Sequence, residues 1–304
     1  MDFDHGVGTD VEKGRNTMEK LHKSVIRATD IAAQFWCEKQ MELGYIYGRK
    51  ESPQMRSGSE AHKEIETMVN IPLKLKPESY ADSFYKNLYA GYLAFSTLGE
   101  RGIAREISIY GSANGFKIAG KLDEIRLEDG EILVYEDKTK GSDKEPTQAQ
   151  LSSHAVQVQL YVKMLKDIKS NSYSVEDFTR SYRIDSLKVT PGFAKQLKEA
   201  GVEGQHATIT EVAKEYFNEI IKAPRISDVA RLRYTFTPTG RVIKTYDIKY
   251  DEGEFSKKMS YALGYWRGER GAKPVDESEK WKCNYCQFFG KQCKVWYVDR
   301  QKVL

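Results

Sequence analysis

The sequence has no long apolar run and no mark of a secreted chain. No stretch approaches the ~18 apolar residues of a membrane-spanning helix, so we expect no membrane association. The N-terminus, Met-Asp-Phe-Asp-His-Gly, lacks a basic region followed by an apolar segment, so no secretory signal is expected. We therefore expect an intracellular protein, which would be cytoplasmic or nucleoid-associated, or would lie in the nucleus or mitochondrion of a eukaryote.

Cysteine is scarce, and neither sign of charge dominates. The 304 residues include only four cysteines, and in an intracellular protein these are not expected to form structural disulfides. With 48 basic and 44 acidic residues, the net charge of +4 favours no particular partner. Repeats and low-complexity linkers are also absent, and 40% hydrophobic residues suffice for a sizeable core. We expect an N-terminal arm over residues 1–24 that is mobile, and one domain over residues 25–304.

One segment near the C-terminus concentrates positive charge and aromatic rings. Residues 280–302 hold one acid, Asp299, and the following basic and aromatic residues: Lys280, Lys282, Lys291, Lys294, Arg300, Lys302, Trp281, Tyr285, Trp296 and Tyr297. Such a stretch suits a phosphate backbone with stacked bases. The alternative is a solvated basic tail.

Apolar periodicity and turn signals predict an alternation of helices and strands. Helices are predicted from Thr29-Asp30, from Ser57-Gly58, over 78–98 and over 147–168, and strands over 104–110, 116–127, 131–138, 233–237 and 242–250. Residues 170–230 are interpreted as helices with loops.

A hairpin is the most informative feature. Asp129-Gly130 lies between two alternating apolar runs, which predicts two antiparallel strands joined by a two-residue turn. This turn pairs Glu128 with Glu131 and thereby fixes the register of both strands.

That register places Asp123 directly opposite Glu136. Carboxylates on opposed residues, whose Cβ atoms lie roughly 4.5–5.5 Å apart, destabilise a strand pair unless something compensates them. A shared divalent metal would do so. Lys138 follows Glu136 by two residues and so lies on the same face. The alternative is a solvated face of a charged hairpin.

The helix over 147–168 carries three polar residues beside its apolar stripe. Gln157 and Tyr161 are four residues apart and lie on one face, and His154 precedes Gln157 by three. We expect them at a buried edge. The alternative is an ordinary tyrosine at the boundary of the core, hydrogen-bonded to a neighbour.

His62 is the histidine that we select as a metal ligand. It lies one step off the apolar stripe of the helix predicted from Ser57, and a neutral imidazole could join a metal already held by two carboxylates. The alternative is a boundary residue with a hydrogen-bond partner.

The four cysteines form a candidate metal centre. Cys283, Cys286 and Cys293 are closely spaced, whereas Cys37 lies 246 residues before Cys283. Four thiolates suit either zinc or an iron–sulfur cluster. The alternative is a zinc ion on the three local cysteines and a fourth ligand elsewhere, with Cys37 as a buried apolar residue.

Taken together, these motifs resemble the RecB-type branch of the PD-(D/E)xK nucleases that carry an iron–sulfur cluster, and within it the exonuclease V family. The resemblance runs from about residue 29 to about residue 298 and includes 104–111, 146–150 and 266–288. It implies an α/β restriction-endonuclease-like fold with a mixed central sheet flanked by helices. The residues that carry it are Cys37, Gly58, His62, Asp123, Glu136, Lys138, Gln157, Tyr161, Cys283, Cys286 and Cys293.

The resemblance also implies roles for these residues. Mg²⁺ or Mn²⁺ would be held by His62, Asp123 and Glu136, Lys138 would orient or activate the attacking water, and Gln157 and Tyr161 would position the DNA backbone or the lysine. The four cysteines would ligate a structural 4Fe-4S cluster that joins the N-terminal part of the chain to residues 280–298. Asp137 departs from the pattern, in which an apolar residue is expected. We expect its carboxylate to point to solvent, unless the register differs.

The implied function is a metal-dependent exonuclease that degrades single-stranded DNA from a free 5′ end in repair or replication. We expect a monomer, with a single-stranded-DNA-binding protein as a candidate partner. Two alternatives remain: a CRISPR-adaptation nuclease of the same superfamily, and a non-catalytic iron–sulfur DNA-binding module.

Overall fold

The computed structural model describes residues 16–50, 75–202 and 208–297, which build a seven-stranded mixed sheet with helices packed against it. The strands are β1 (Ile26–Arg27), β2 (Ile103–Ala113), β3 (Phe116–Glu128), β4 (Glu131–Lys140), β5 (Arg225–Ile226), β6 (Val229–Phe236) and β7 (Arg241–Lys249). Their order is β1-β3-β4-β6-β7, with β2 paired to β3 and β5 paired to β4. β1–β3, β4–β5 and β4–β6 are parallel, and the other pairs are antiparallel. The predicted mixed sheet flanked by helices is confirmed.

The helices of the described residues are α1 (Thr17–Lys20), α2 (Ala28–Tyr47), α3 (Tyr80–Ser96), α4 (Leu98–Arg101), α5 (Gln148–Lys169), α6 (Val175–Tyr182), α7 (Pro191–Glu199), α8 (Ile209–Lys222) and α9 (Glu252–Trp266). Short 3₁₀ segments lie at Ile184–Ser186, between α6 and α7, and at Glu277–Tyr285, after α9. The long helix α5 lies across the sheet and contacts β2, β4, β6 and β7, while α2, α8 and α9 pack on α5. The apolar core therefore lies between α5 with its neighbours and one face of the sheet, which we call the front face.

The predicted hairpin forms with the predicted turn. Asp129 and Gly130 both have positive φ, at 49° and 78°, as a two-residue primed turn requires. The strands pair from Glu128 opposite Glu131 to Glu124 opposite Tyr135, which confirms the register.

Helix starts follow local capping chemistry. The Thr147 hydroxyl accepts a hydrogen bond from the Gln150 backbone N–H at 3.3 Å, which closes a capping box at the start of α5. At α2 the Asp30 carboxylate accepts the Arg27 N–H at 2.9 Å. Both helices therefore begin within two residues of the positions that their sequences predict.

Several elements differ from the predictions or lie beyond them, among them the short strands β1 and β5, which were not predicted. Helix α9 was not predicted, and β6 begins at Val229, four residues before the predicted strand. The helix predicted from Ser57 lies outside the described residues.

The last residues of the predicted N-terminal arm contact the body of the protein. The Thr17 hydroxyl donates to the Tyr265 carbonyl at 2.5 Å, Met18 is buried, and Lys23 pairs with Asp30 at 2.9 Å. These contacts anchor residues 17–23 to α2 and α9. Among the described helices, none combines the length and apolarity needed to cross a bilayer.

Candidate active site

Asp123 and Glu136 lie where the pairing between β3 and β4 ends. The β3–β4 ladder ends at Glu124 opposite Tyr135, so Asp123 and Glu136 are the next residues of the same register. On the other side of β3, the β2–β3 ladder skips the position where Glu106 would pair with Asp123. Glu106 has a positive φ of 54°, uncommon within a strand for a residue other than glycine. Regular pairing is thus interrupted on both sides of Asp123 in this described part of the sheet.

The Asp123 carboxylate forms a hydrogen bond with the β4 backbone beyond the end of the β3–β4 ladder. Its Oδ2 accepts the backbone N–H of Asp137 at 2.8 Å, which ties β3 to β4 beyond their last paired residues. The carboxylate is half-buried and remains beside Glu136. The structure therefore brings the predicted pair together.

Lys138 and Gln157 hold one oxygen of Glu136. The Lys138 ammonium lies 2.6 Å from Glu136 Oε1, and Gln157 Nε2 donates to the same oxygen at 2.7 Å. Gln157 Oε1 accepts from Lys138 at 3.1 Å, and Gln157 Nε2 also donates to the Tyr161 hydroxyl at 3.1 Å. Four predicted site residues thus form one hydrogen-bonded group between β4 and α5.

The second oxygen of Glu136 has a different environment. Glu136 is 1% exposed, and its Oε2 is buried without any hydrogen-bond partner among the described residues. Burial, followed by the negative charge of Asp123, raises the pKa of Glu136 to about 8, although Lys138 opposes the shift. A buried carboxylate oxygen without a partner is costly, so this site favours an added cation or a proton.

Lys138 is held in its charged form. Burial works against the ammonium, but the charges of Glu136 and Asp123 outweigh it and raise the pKa of Lys138 above its ordinary value. A protonated lysine can donate hydrogen bonds but cannot accept a proton. Lys138 is therefore suited to orienting water and to neutralising negative charge.

His154 lies beside this group, at the buried edge that was predicted. Its Nδ1 is 2.8 Å from the hydroxyl of Tyr234, which pairs with Lys138 across β4 and β6. Burial and the nearby charges of Lys138 and Lys140 lower the pKa of His154 to about 3. The imidazole is therefore neutral at physiological pH.

Tyr161 packs on Gly120, a glycine outside the motifs that predict the site. A Cβ atom at Gly120 would lie 2.4 Å from Tyr161 Cε1 and 3.2 Å from the Ala28 Cβ atom. Only glycine lets the Tyr161 ring approach β3 so closely. A glycine just before Lys121-Leu122-Asp123 was the one available signal in the sequence.

We expect Gly120→Ala to lower the free energy of unfolding by about 1–3 kcal/mol, because the added methyl group overpacks the site. It should also lower kcat, because Tyr161 must move away from Gln157. Urea unfolding and cleavage assays measure both effects. Gly99→Ala, where no atom lies within 4 Å of the added methyl group, is the matched control. Wild-type stability of Gly120→Ala would contradict the packing argument.

The prediction that Asp137 points to solvent is wrong. The register holds, and strand alternation turns Asp137 to the face opposite α5, where it is 9% exposed. There it pairs with Arg105 at 2.6 Å and with Arg233 at 2.7 Å. An ionic contact therefore replaces the apolar support expected at this position.

All four cysteines line one cavity with Trp36, Val275, Phe289 and Trp296. Helix α2 is broken at Cys37, where φ is −168° and ψ is 108°. The Gln40 N–H donates to Cys37 Sγ at 3.4 Å, and the Val275 N–H also donates to this sulfur. The structure thus joins the distant Cys37 to the C-terminal segment. Burial raises the pKa of the Cys37 thiol, and the nearby Cys286 and Cys293 add to the shift.

Lys282 supports the break in α2 and is not part of a solvated surface. It is 3% exposed, and its ammonium donates to the Trp36 carbonyl at 3.2 Å and to Glu279 at 2.7 Å. The break at Cys37 frees this carbonyl from the helix. Of the basic residues predicted to follow phosphates, Lys282 is therefore unavailable.

The remaining predictions for the site concern His62 and the two metal centres. His62 lies outside the described residues. In the described residues, no three histidine, cysteine or acidic side chains already stand in metal-binding geometry.

Comparison with known proteins gives the family. The family model described as "Exonuclease V - a 5' deoxyribonuclease" matches residues 17–131, 126–216 and 202–297. Exonuclease V of Danio rerio is 26% identical over 296 residues, which cover 91% of this chain and 72% of that protein.

Two mitochondrial exonuclease V proteins of yeasts match over shorter stretches. That of Candida tropicalis is 30% identical over 67 residues, and that of Candida dubliniensis is 30% identical over 70 residues. These stretches cover 22% and 23% of this chain and 11% of each yeast protein. Since the family model spans nearly the whole chain, this chain belongs to the exonuclease V family of 5′ deoxyribonucleases.

Proposed function

We propose that this 5′ deoxyribonuclease is a metal-dependent exonuclease for single-stranded DNA, with its active site at Asp123, Glu136 and Lys138. The observation that carries the proposal is the buried Oε2 of Glu136, which lacks a partner among the described residues although Asp123 lies beside it. A divalent cation would satisfy this oxygen and remove the repulsion between the two carboxylates. On this proposal the sheet corresponds to the core of the PD-(D/E)xK nucleases.

The donor set fits Mg²⁺ or Mn²⁺. Carboxylate oxygens are the ligands that these hard cations prefer, and protein sites for Mg²⁺ often supply only one or two of them, leaving water on the ion. Asp123 and Glu136 would hold the ion, and His62 remains the predicted third ligand. When bound, the ion would polarise the scissile phosphate and lower the pKa of the attacking water.

The chain's own residues would prepare the reaction. Lys138, fixed by Glu136 Oε1 and Gln157 Oε1, would donate to the attacking water and offset negative charge as it develops on the phosphate. Gln157 would keep both Glu136 and Lys138 in place, and Tyr161 would keep Gln157 in place. Hydrolysis then leaves a 5′-phosphate.

Metal binding should depend steeply on pH. Because the pKa of Glu136 is raised to about 8, the metal-free protein holds a proton there at neutral pH, and the ion must displace it. We expect the Kd for Mn²⁺ to fall about tenfold per pH unit between about pH 6 and 8 and to level off above that range.

Electron paramagnetic resonance of free Mn²⁺ at constant ionic strength measures this dependence. Glu131→Gln, in the same strand but paired with Arg225 at the surface, should leave the profile unchanged. An affinity that is constant across this range would contradict the raised pKa.

We also propose that the four cysteines hold a 4Fe-4S cluster. The cavity offers four sulfur donors, apolar walls and backbone N–H groups directed at Cys37, a setting that suits cysteine-ligated clusters. A bound cluster would also relieve the repulsion among neighbouring thiolates. It would hold the C-terminal segment against α2.

Exposed aromatic and basic side chains around this cavity form the proposed contact with DNA bases. Tyr285 is 78% exposed, and Trp281, Trp296 and Tyr297 are exposed near it. Lys280, Lys291 and Lys294 are exposed on the same segment, where they could follow phosphates.

We expect Tyr285→Ala to weaken the binding of single-stranded DNA about 5- to 150-fold, because stacking contributes about 1–3 kcal/mol per base. Fluorescence anisotropy with a labelled oligonucleotide measures the change. Tyr80→Ala, which removes a 67% exposed tyrosine from α3, is the matched control. Equal affinities for the two variants would remove Tyr285 from the DNA path.

End-labelled substrates test the proposed function itself. We expect Mg²⁺-dependent degradation of linear single strands, little cleavage of duplexes or circles, and inhibition by a 5′ block but not by a 3′ block. Rapid cutting of circles would rule out dependence on an end, and equal rates on duplex DNA would rule out the single-strand preference.

Family membership supports this exonuclease over the CRISPR-adaptation nuclease. The complete set of Asp123, Glu136 and Lys138 supports it over a non-catalytic DNA-binding module. A role in DNA repair or replication inside the cell, as a monomer and beside a single-stranded-DNA-binding protein, belongs to the same proposal.

A further inference from the structure

The face of the sheet opposite α5, which we call the reverse face, carries a closed ring of four buried or nearly buried charges. Arg105 on β2 and Arg233 on β6 each contact both Glu124 on β3 and Asp137 on β4. Arg233 lies 3.0 Å from Glu124 and 2.7 Å from Asp137, and Arg105 lies 2.6 Å from Asp137. We call this group the ionic ring.

The ionic ring is well shielded from water. Glu124 is 0% exposed, Arg105 4%, Asp137 9%, and the Arg233 side chain 17%. Although burial disfavours the charged carboxylate, Arg233 and Arg105 hold the pKa of Asp137 below its ordinary value. Asp137 is therefore charged in the folded protein, and removal of an arginine from beside it would leave its buried charge less well compensated.

Members of the ring are sequence neighbours of the candidate catalytic residues. Glu124 follows Asp123, and Asp137 lies between Glu136 and Lys138. Because side chains alternate along β4, Asp137 of the ring faces one side of residues 136–138, whereas Glu136 and Lys138 face the other side. A shift of this part of β4 would therefore move the ionic ring and the candidate catalytic residues together.

The ring also lies where the pairing between β3 and β4 ends, although β2–β3 and β4–β6 remain paired there. Pairing between β3 and β4 ends at Glu124 opposite Tyr135, and beyond it Asp137 N–H reaches only the Asp123 side chain. The ring bridges β2, β3, β4 and β6 at this point. It can therefore supply the lateral restraint that the missing ladder bonds do not.

We propose that the ionic ring is a positioning device that holds Asp123, Glu136 and Lys138 at their working separation. The inference rests on the proposed metal-dependent site and adds residues that act through it from the reverse face. Arg105, Glu124, Asp137 and Arg233 are positioning residues, since their side chains meet on the reverse face, opposite Glu136 and Lys138.

Arg233→Lys is the principal test, because lysine keeps the charge but cannot bridge two carboxylates in the way a guanidinium does. We expect kcat to fall about tenfold, with the KM for DNA within about twofold, and Mn²⁺ affinity to fall about three- to tenfold, as expected for a sub-ångström misplacement. Hydrogen exchange of the backbone amides in residues 133–140 should accelerate, because β4 is less firmly held. This measurement is made on metal-free protein and does not depend on cleavage activity.

Arg231→Lys is the matched control. Arg231 lies two residues earlier on β6 and pairs with Glu128 at 2.8 Å, away from the catalytic group. Because its own contact on β4 is with Tyr135, it should leave exchange in residues 136–140, Mn²⁺ affinity and kcat unchanged. Asp137→Asn is the second variant, for which we expect a larger loss of kcat, about 10- to 100-fold.

The outcomes separate the two proposals. Folded Arg233→Lys with wild-type exchange, Mn²⁺ affinity and kcat would overturn the positioning role, whether or not Asp137→Asn folds. Equal losses of kcat and Mn²⁺ affinity in Arg231→Lys would also overturn the positioning role, because replacing any arginine on the reverse face would then have the same effect. If wild-type protein binds no Mn²⁺ at Asp123 and Glu136, the proposed active site fails, while the exchange measurement still tests the ring.

Discussion

Glu136→Gln should abolish cleavage, with a loss of at least about 10³-fold in kcat, while leaving DNA binding largely intact. Glutamine fills the same space but cannot give the metal a charged oxygen, and it also weakens the bond that fixes Lys138. Asp123→Asn and Lys138→Met should give comparable losses. Single-turnover cleavage at saturating DNA isolates the chemical step.

Glu136→Gln should at the same time stabilise the metal-free protein. The pKa of Glu136 rises from an ordinary value of 4.5 to about 8 in the folded state. The stability that this proton contributes is fully present below pH 4.5 and is lost as the pH rises through 8. The advantage of the glutamine variant in free energy of unfolding should therefore grow between these pH values.

Urea unfolding in the presence of a chelator, at several pH values, tests this second effect. Glu131→Gln, in the same strand, should change neither cleavage nor the pH dependence of stability. Near-wild-type cleavage by Glu136→Gln would overturn the active-site assignment. An inactive variant whose stability follows the wild-type pH profile would overturn the raised pKa alone.

Cys37→Ala should remove the cluster and much of the stability that depends on it. We expect wild-type protein to be brown, with broad absorbance near ~400 nm and about four irons per chain. Ligation by Cys37 would close a loop of 246 residues, and closing so long a loop in the unfolded chain favours the folded state. The variant should therefore lose iron and become less soluble.

Iron analysis, the visible spectrum and thermal unfolding of anaerobically purified protein measure these effects. Val275→Ala is the matched control, because it removes packing from the same cavity but no ligand. It should keep its iron. A colourless wild-type protein with one zinc ion would overturn the cluster proposal, and a brown Cys37→Ala protein would remove Cys37 from the ligand set.

Local sequence determined the parts of the site that depend on neighbouring residues. Asp129-Gly130 can adopt the two positive φ values of a tight turn, and this turn alone fixes the register that brings Asp123 to Glu136. Helical periodicity likewise places Gln157 and Tyr161 on one face of α5. These predictions needed no knowledge of other elements, because strand alternation and helix pitch are properties of the backbone itself.

The surroundings of these residues depend on contacts between segments that are distant in the sequence. Asp137 is charged and buried because Arg105 and Arg233, 32 and 96 residues away, meet it on the reverse face. Lys282 appears in the sequence as one charge of a basic segment, yet it is buried against the Trp36 carbonyl, 246 residues away.

The reason is physical. The energy of a charged side chain depends on its distance from partners and from water, and both are set by packing between distant segments. Spacing along the chain could therefore predict which residues face the site. It could not predict that Glu136 would keep a buried oxygen without a partner in the described structure, or that an ionic ring would support the strands behind it.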